Sequence, residues 1–419
     1  IFNYIVFMYG RIRLCAIGFG NRTGKYLKYV EQHPEEAAVC AVVDTDMLRL
    51  KEASELYSIP EDRCFSSVDE LLASGIEADA AIVATADDSH YDIALKILER
   101  GWHLLLEKPM ARTSGQCVEL ADAAERSGVV SGLCYVMRYH PYYRRIKEIA
   151  DSGNYGKILS VTHRENVGID RMTHTFVRGH WSREGDTSPI FISKCCHDVD
   201  FLLWMAGDRV SCDYSVASKG SLSKYCAVNF PERAASRCID CPLEEGCRYS
   251  AVDLYRRRKE WTGNFGRGKN LDEAIEKELR YGKYGRCVYR CDNDVMDCQE
   301  TVFEFVNGVK IGIVLDGISD KEGRDTVICF ERGRLVAKDG VISVFVDGNL
   351  SSEEDFTGIL SGPFHGGADL AIVEDFFRAI RTGIPMECSL SGSLAGCIAC
   401  FAAERSRKAG GKVINQKSV

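Results

Sequence analysis

Three short apolar runs in the first part of the chain form its clearest pattern. They cover residues 12–17, 80–84 and 103–106, and each is apolar almost without interruption. Runs of this kind are typical of parallel strands that are buried on both faces of a sheet. Because helical stretches separate them, the sequence predicts a doubly wound parallel sheet of the α/β class over residues 10–135.

Beyond Tyr135 the pattern changes to alternating strands and longer helices. Residues 158–165 alternate, and the turn pairs Asn307-Gly308 and Asp339-Gly340 interrupt further alternating runs. Asn-Gly and Asp-Gly pairs favour tight hairpin turns, so an antiparallel sheet is predicted within residues 136–419. Helices are predicted over 141–150, 194–205, 368–381 and 389–408.

A glycine-rich loop follows the first apolar run. It reads Gly18-Phe19-Gly20-Asn21-Arg22-Thr23-Gly24, so two glycines match the usual G-x-G-x-x-G motif and Thr23 replaces the third. Such glycines let backbone amides approach a pyrophosphate, and the next helix adds the positive end of its dipole. The loop therefore predicts a dinucleotide site. Its expected cofactor contacts are Gly18, Phe19, Gly20, Asn21 and Arg22.

Asp44 ends the next apolar run. An acidic residue about 20 residues after the glycine loop binds the ribose hydroxyls in dinucleotide-binding domains. Asp46 adds negative charge, and no arginine follows Asp44 directly, so a 2′-phosphate would be repelled. NAD is therefore predicted in preference to NADP.

Polar residues follow the second and third apolar runs. Thr85 to His90 come after one, and Glu107-Lys108-Pro109 after the other. Ligands of open α/β sheets bind at the carboxyl ends of the strands. Pro109 restricts the backbone beside Lys108, so the ammonium group can project into the same crevice and hold a substrate hydroxyl. Thr85, His90 and Glu107 are expected beside the cofactor.

Length and charge exclude several classes of protein. With 419 residues and 45% hydrophobic residues, the chain is long enough for two domains that share a cleft. A net charge of -8 argues against binding to nucleic acid or to an anionic membrane. Residues 1–8 are apolar but too few to span a bilayer, so a cytoplasmic protein is predicted. Met8 is a candidate natural start.

Together these motifs resemble the glucose-fructose oxidoreductase, inositol dehydrogenase and MocA (Gfo/Idh/MocA) family. The resemblance covers nearly the whole chain. It implies an NAD-binding Rossmann domain at 10–135 and an α+β substrate domain at 136–419, built on a large open, mostly antiparallel sheet. It also implies a homodimer or homotetramer. The residues that carry it are the glycine loop, Asp44, residues 85–90, Glu107-Lys108-Pro109, residues 137–141 and residues 197–200.

The resemblance also implies the chemistry. It places Lys108 and His197 at the reacting hydroxyl, where a neutral imidazole accepts the proton and the lysine stabilises alkoxide character. The chain is therefore predicted to move a hydride between NAD and a carbinol of a sugar, glycoside or cyclitol. Two alternatives stay open. One is an NAD-dependent glycoside hydrolase that works by transient oxidation and elimination, and the other is a non-catalytic nucleotide-binding regulator.

One departure from the family concerns the position four residues before His197. Members of the inositol dehydrogenase type usually carry an Asp there, whereas this chain has Ser193 followed by Lys194. Lys194 is either a second cation at the cleft or a solvent-facing lysine. The other candidate substrate-binding residues are Arg138, His174, Arg178, Trp181, Asp198, His365 and Asp369. Asp369 fits equally well as a charge at a helix N-terminus.

The chain contains 19 cysteines, and some of them cluster in a segment at 226–295. The spacing of Cys238, Cys241 and Cys247 suits tetrahedral thiolate coordination. Either Cys287 or Cys291 can supply a fourth ligand, and Cys291 is preferred. A structural zinc ion is predicted, with an iron-sulfur cluster or free thiols as alternatives.

Overall fold

The structure, a computed structural model, describes residues 10–207, 213–263, 265 and 270–418. Residues 1–9, with the candidate start at Met8, lie outside these ranges. Within them, no helix combines the length and the hydropathy that a membrane crossing requires. One buried hydrophobic cluster includes residues from both halves of the chain, so the two predicted domains pack against each other.

The N-terminal half forms a sheet of six parallel strands. These are β1 Ile12–Ile17, β2 Ala37–Val43, β3 Cys64–Phe65, β4 Ala80–Val83, β5 His103–Leu106 and β6 Ser131–Leu133. Their order is β3-β2-β1-β4-β5-β6, and every neighbouring pair is parallel. The predicted doubly wound sheet is confirmed. The order reverses between β1 and β4, where a crevice opens at the carboxyl ends of the strands.

The helices of this half connect successive strands. They are α1 Asn21–Gln32, α2 Met47–Tyr57, α3 Val68–Ala73, α4 His90–Glu99 and α5 Ser114–Ser127. Short 3-10 turns lie at Glu61–Arg63 and Asp87–Ser89. The side chain of Asp46 caps α2, and that of Thr113 caps α5, because each accepts a hydrogen bond from a backbone amide in the first turn.

The C-terminal half contains a second sheet. Its nine strands are β7 Ile158–Val167, β8 Tyr214–Ser221, β9 Cys298–Phe305, β10 Lys310–Asp316, β11 Glu322–Phe330, β12 Gly333–Lys338, β13 Val341–Val346, β14 Asn349–Asp355 and β15 Ile414–Asn415. Their order is β14-β13-β12-β11-β7-β10-β9-β8-β15. All neighbouring pairs are antiparallel except β7 and β10, which are parallel. The predicted mostly antiparallel open sheet is confirmed.

The helices of the C-terminal half join the two sheets. The longer ones are α6 Pro141–Asp151, α7 Cys196–Ala206, α8 Leu271–Tyr281, α9 Ala368–Thr382 and α10 Leu390–Lys408. Helix α10 packs against α5, α7 and β8, and therefore contacts both halves. Shorter helical segments lie at Val136–Tyr139, Ile169–Arg171, Met172–Arg178, Ile190–Ser193, Ala227–Asn229, Cys238–Asp240, Glu244–Gly246, Val252–Arg257, Lys283–Gly285, Val288–Arg290, Thr357–Leu360, Pro363–Gly366 and Gln416–Ser418.

The predicted cysteine-rich insertion at 226–295 has a small core of its own. That core consists of Cys238, Ala251, Val252, Leu254, Tyr255, Phe265, Ile275 and Leu279. An isolated β-bridge between Arg237 and Arg286 connects the start of the insertion to its end. The insertion is therefore a compact subdomain attached to the second sheet.

Candidate active site

The glycine loop lies at the switch point between β1 and β4. Gly18 has a φ of +81°, and a Cβ atom there would lie 2.6 Å from the carbonyl oxygen of Ala84, so only glycine fits. Helix α1 begins at Asn21, and no side chain caps it at Gly20. Its first backbone amides are therefore available to a phosphate group.

Asp44 holds the loop from the end of β2. Its carboxylate accepts the amide N–H of Phe19 at 2.7 Å and that of Asp46 at 2.9 Å. Arg49 was not predicted from the sequence, and its Nη1 lies 3.6 Å from Oδ2 of Asp44. The sequence offered one indication of this contact: Arg49 lies three positions after Asp46, the cap of α2, and side chains at this spacing can reach each other. Two carboxylates and one guanidinium therefore surround the predicted ribose position.

Arg22, an expected cofactor contact, binds two buried carboxylates. Its Nε donates to Glu107 Oε1 at 2.7 Å, and its Nη2 donates to Asp369 Oδ1 at 2.7 Å. Tyr26 also donates to Glu107, and Nδ1 of His365 lies 2.8 Å from Asp369. Although burial opposes it, the His365 hydrogen bond and the Arg22 charge hold the pKa of Asp369 well below its usual range. This cluster joins the glycine loop to α9 of the other half.

The segment after β4 packs against the Glu-Lys-Pro motif. The ring nitrogens of buried His90 lie 2.7 Å from the carbonyl oxygen of Pro109 and 3.3 Å from that of Thr85. From the C-terminal half, Nε1 of Trp181 donates to the buried carboxylate of Asp87 at 3.2 Å. These contacts hold the two loops together at the carboxyl edge of the first sheet. His90 therefore stabilises these loops as a buried residue.

Lys108 and His197 come together across the boundary between the two halves. Nζ of Lys108 donates to the carbonyl oxygen of Ser193 at 2.8 Å, four residues before His197. Burial, together with the charge of Lys108, lowers the pKa of His197 well below its usual range. Nδ1 of His197 is buried and has no hydrogen-bond partner among the described residues. The imidazole is therefore neutral.

A charged network lies beside His197 on the second sheet. Asp198 is fully buried and lies 3.0 Å from Nε2 of His163 and 2.5 Å from Nε of Arg324. Arg324 also contacts Glu165 at 2.8 Å, and Glu165 contacts Lys194 at 2.6 Å. Although burial opposes it, Arg324 and His163 hold the pKa of Asp198 well below its usual range. Lys194 is therefore ion-paired at the site.

Three members of this network were not predicted from the sequence: His163, Glu165 and Arg324. His163 and Glu165 occupy the same buried face of β7 as Val161 and Val167. Arg324 lies directly opposite Glu165 in the register of β11 with β7. The sequence offered one indication of this network. His163 and Glu165 occupy positions of an alternating strand that face the buried side, where a charged side chain needs a partner.

Three predicted substrate contacts lie elsewhere. Arg138 forms a buried ion pair with Asp200, at 2.5 Å. Nδ1 of His174 lies 2.9 Å from the hydroxyl of Tyr255 inside the insertion. Arg178 is completely buried, also against the insertion. The interpretation of His174 and Arg178 as sugar contacts is not supported by these positions.

The clustered cysteines line one cavity of about 300 Å³ in the insertion. Cys238, Cys241, Cys247 and Cys287 all contribute to its wall. Cys291, the preferred fourth ligand, does not line it, and its thiol donates to the carbonyl oxygen of Cys287. Of the two alternatives for the fourth position, the structure brings Cys287 to the other three.

Known proteins resemble this chain in its nucleotide-binding domain and over most of its length. Residues 12–135 match the family described as "Oxidoreductase family, NAD-binding Rossmann fold". The chain is 24% identical over 371 residues to "Putative oxidoreductase YteT" of Bacillus subtilis (strain 168), covering 83% of this chain and 81% of that protein. It is 28% identical over 204 residues to "Inositol 2-dehydrogenase 2" of Saccharopolyspora erythraea, covering 46% of this chain and 54% of that protein. The chain therefore spans about half the length of that dehydrogenase.

The likeness to solved structures covers both halves. An oxidoreductase from Agrobacterium radiobacter, in complex with NAD+, L-tartaric acid and magnesium, has a TM-score of 0.71 at 14% identity, over 97% of this chain and 99% of that one. At this identity the likeness shows the fold alone. Residues 12–135 therefore form the NAD-binding Rossmann domain of the Gfo/Idh/MocA oxidoreductase family, and the alignment with YteT extends the similarity over 83% of the chain.

Proposed function

We propose that this protein is an NAD-dependent oxidoreductase that moves a hydride between the nicotinamide and a carbinol of a sugar, glycoside or cyclitol. The observation that carries the proposal is the approach of Lys108 to His197. One side chain comes from the carboxyl edge of the nucleotide-binding sheet, and the other from the first turn of α7. An oxidised carbinol needs groups for both its proton and its developing charge, and these two side chains can supply them.

The residues at the switch point fit NAD. Gly18 leaves the space that a pyrophosphate needs, and the uncapped start of α1 offers amide donors for it. Asp44 offers carboxylate oxygens to the ribose hydroxyls, and Arg49 lies beside it. When bound, NAD accepts a hydride from the carbinol carbon. We propose that these residues orient the cofactor and that Arg22 and Glu107 act indirectly, by positioning the loop.

The proton of the carbinol passes to His197 in this proposal. The hydroxyl group becomes much more acidic as its carbon loses the hydride, so even an imidazole with a lowered pKa can accept the proton as the hydride leaves. Burial keeps His197 neutral before the reaction. Lys108 stabilises negative charge on the same oxygen, and its bond to the carbonyl of Ser193 orients the ammonium group.

The charged network on the second sheet fits a polyhydroxylated substrate. Lys194 and Arg324 are partly exposed and provide donors, and the buried carboxylates of Glu165 and Asp198 orient them. Neighbouring donors of this kind can bind neighbouring hydroxyl oxygens. The inositol 2-dehydrogenase among the relatives supports the choice of a sugar or cyclitol.

Neither alternative is favoured by a specific observation. Glycoside cleavage through transient oxidation would use the same residues, but the relatives are named as oxidoreductases and dehydrogenases. A non-catalytic regulator would not need the convergence of Lys108 and His197. We also propose a structural metal ion in the insertion. We further propose a homodimer or homotetramer, which forms through the outer face of the second sheet, where Val302 is 46% exposed.

A panel of sugars, cyclitols and aryl glycosides, each incubated with protein and NAD, tests the proposed function. We expect NADH absorbance to rise with at least one polyol. Aglycone release without NADH accumulation would indicate the hydrolase instead. NAD binding with neither reaction would favour the regulator.

A further inference from the structure

We propose that Cys238, Cys241, Cys247 and Cys287 bind one zinc ion and that the buried guanidinium of Arg178 offsets half of the net charge of the zinc and its four thiolates. This site is separate from the proposed NAD chemistry. Four thiolates around Zn²⁺ carry a net charge of −2, which is costly to bury without a nearby cation. Arg178 is a nearby cation, and it is completely buried.

The backbone brings the two ends of the insertion together at this cavity. The antiparallel bridge between Arg237 and Arg286 holds the segments that carry Cys238 and Cys287 together, and Sγ of Cys238 lies 3.8 Å from the carbonyl oxygen of Arg286. The amide of Cys287 also donates to the carbonyl oxygen of Ser236 at 2.8 Å. Cysteines that are 49 positions apart in the sequence thus become neighbours.

The position of the side chains distinguishes Cys287 from Cys291. Cys287 lines the cavity together with Cys238, Cys241 and Cys247, whereas Cys291 does not. The thiol of Cys291 instead donates to the carbonyl oxygen of Cys287. Cys287 is therefore assigned as the fourth ligand.

Arg178 supplies independent support. It is completely buried, and its Nε and Nη2 donate to the carbonyl oxygens of Arg286 and Tyr249 at 2.7 and 2.6 Å. Its Nη2 lies 3.7 Å from Sγ of Cys238, and its Nη1 has no partner among the described residues. No ion pair with a carboxylate is found for it in the described ranges. A buried cation needs an anion, and thiolates on a metal ion are the groups at hand.

The insertion also needs a stabilising link. Its separate core contains eight of the described residues, and small cores of this kind usually depend on a metal or disulfides. Among the described residues, no three cysteine sulfurs lie within 4.8 Å of one another. Tetrahedral coordination with zinc–sulfur bonds of about 2.3 Å therefore requires the thiols to rotate into the cavity that they line.

Elemental analysis of the purified full chain tests the proposal. We expect one zinc per chain, and its loss in Cys238→Ser, Cys241→Ser, Cys247→Ser and Cys287→Ser. Cys291→Ser is the matched control and should keep its zinc. If the variants do not fold, the unmodified protein still gives an answer, because an organomercurial that reacts with thiols should release one equivalent of zinc to a chelating dye.

Arg178 has its own readout. In competition with a chelator, Arg178→Met should bind zinc at least tenfold more weakly, and Arg178→Lys should recover most of the affinity, with NAD binding unchanged in both. Equal affinity in Arg178→Met would overturn the charge-balancing role. Metal-free protein, iron with acid-labile sulfide, or zinc that survives in Cys287→Ser but not in Cys291→Ser would overturn the proposed site.

Discussion

The ammonium group of Lys108 donates a hydrogen bond to the carbonyl oxygen of Ser193, at 2.8 Å, across the boundary between the two halves of the chain. Ser193 ends the short helix Ile190–Ser193 that leads into α7, and His197 lies in the first turn of α7. The contact therefore ties the position of Lys108 to that of His197. A reaction that uses both groups depends on this single packing of the two halves.

Replacing Gly18 with alanine should abolish NAD binding and destabilise the fold. The added Cβ would lie 2.6 Å from a carbonyl oxygen, and the φ of +81° is unfavourable for alanine. We expect a loss of about 1–3 kcal/mol in the free energy of unfolding. Gly24→Ala is the matched control, since nothing lies within 4 Å of its added Cβ inside α1. Urea unfolding and NAD titration of both variants measure the effect, and similar behaviour of the two would contradict this account of the loop.

Stability should fall as the pH drops from 7 to 5. Burial, together with Arg178, lowers the pKa of His174 to about 4, whereas the unfolded value is about 6.5. Between these values the unfolded chain binds protons that the folded protein does not, so acid favours unfolding. His174 alone contributes a loss of up to about 2 kcal/mol between pH 7 and pH 5. Urea unfolding at both pH values measures the slope, and His174→Gln should reduce it. An unchanged slope in that variant would show that the pKa of His174 is the same in the folded and unfolded states, which would contradict the effect of its burial.

The cluster around Arg22 should contribute to stability. Asp369→Asn removes a buried negative charge that pairs with Arg22 and His365. Because Arg22 is partly exposed, we expect a loss of about 1–3 kcal/mol, less than for a fully buried pair. Glu77→Gln, which breaks the exposed pair with Arg13, serves as the control and should unfold like the wild type. Thermal unfolding of the three proteins measures the difference. Equal transitions would mean that the cluster adds nothing to the packing of the two halves.

Activity should not show the usual acid limb of a catalytic histidine. The pKa of His197 is lowered well below its ordinary value by burial and by Lys108, so the imidazole stays neutral as the pH falls through about 6.5. We therefore expect kcat/KM for oxidation to stay nearly constant from pH 7.5 to pH 6. A tenfold fall per pH unit below pH 6.5 would show that His197 titrates normally and that its described environment is wrong.

The first sheet and its loop were predictable because they depend on local signals. Continuous apolar runs and the glycines at Gly18 and Gly20 specify buried strands and a tight turn without reference to the rest of the chain. The same holds for Asp339-Gly340, where both residues have positive φ as a tight hairpin turn requires.

The features that sequence analysis did not predict depend on distant pairing. The parallel pairing of β10 with β7 joins segments that are about 150 residues apart, and no local pattern specifies it. The register of β11 with β7 likewise sets Arg324 opposite Glu165. The segment with His174 and Arg178 was polar enough for sugar recognition, but the insertion covers it, and only the folded chain shows which partner those polar groups meet.

The most direct test of the central claim is the steady-state rate of NAD reduction by wild type, Lys108→Met, His197→Asn and the double variant, with a polyol that the wild type oxidises. We expect each single change to lower kcat/KM by at least about 10²-fold, and the double variant to be little worse than the poorer single one, because the two groups act on one oxygen. Lys28→Met, at a partly exposed lysine of α1, should retain full activity. NAD affinity should stay near wild type throughout. Full turnover by Lys108→Met or His197→Asn would contradict the assignment of the active site.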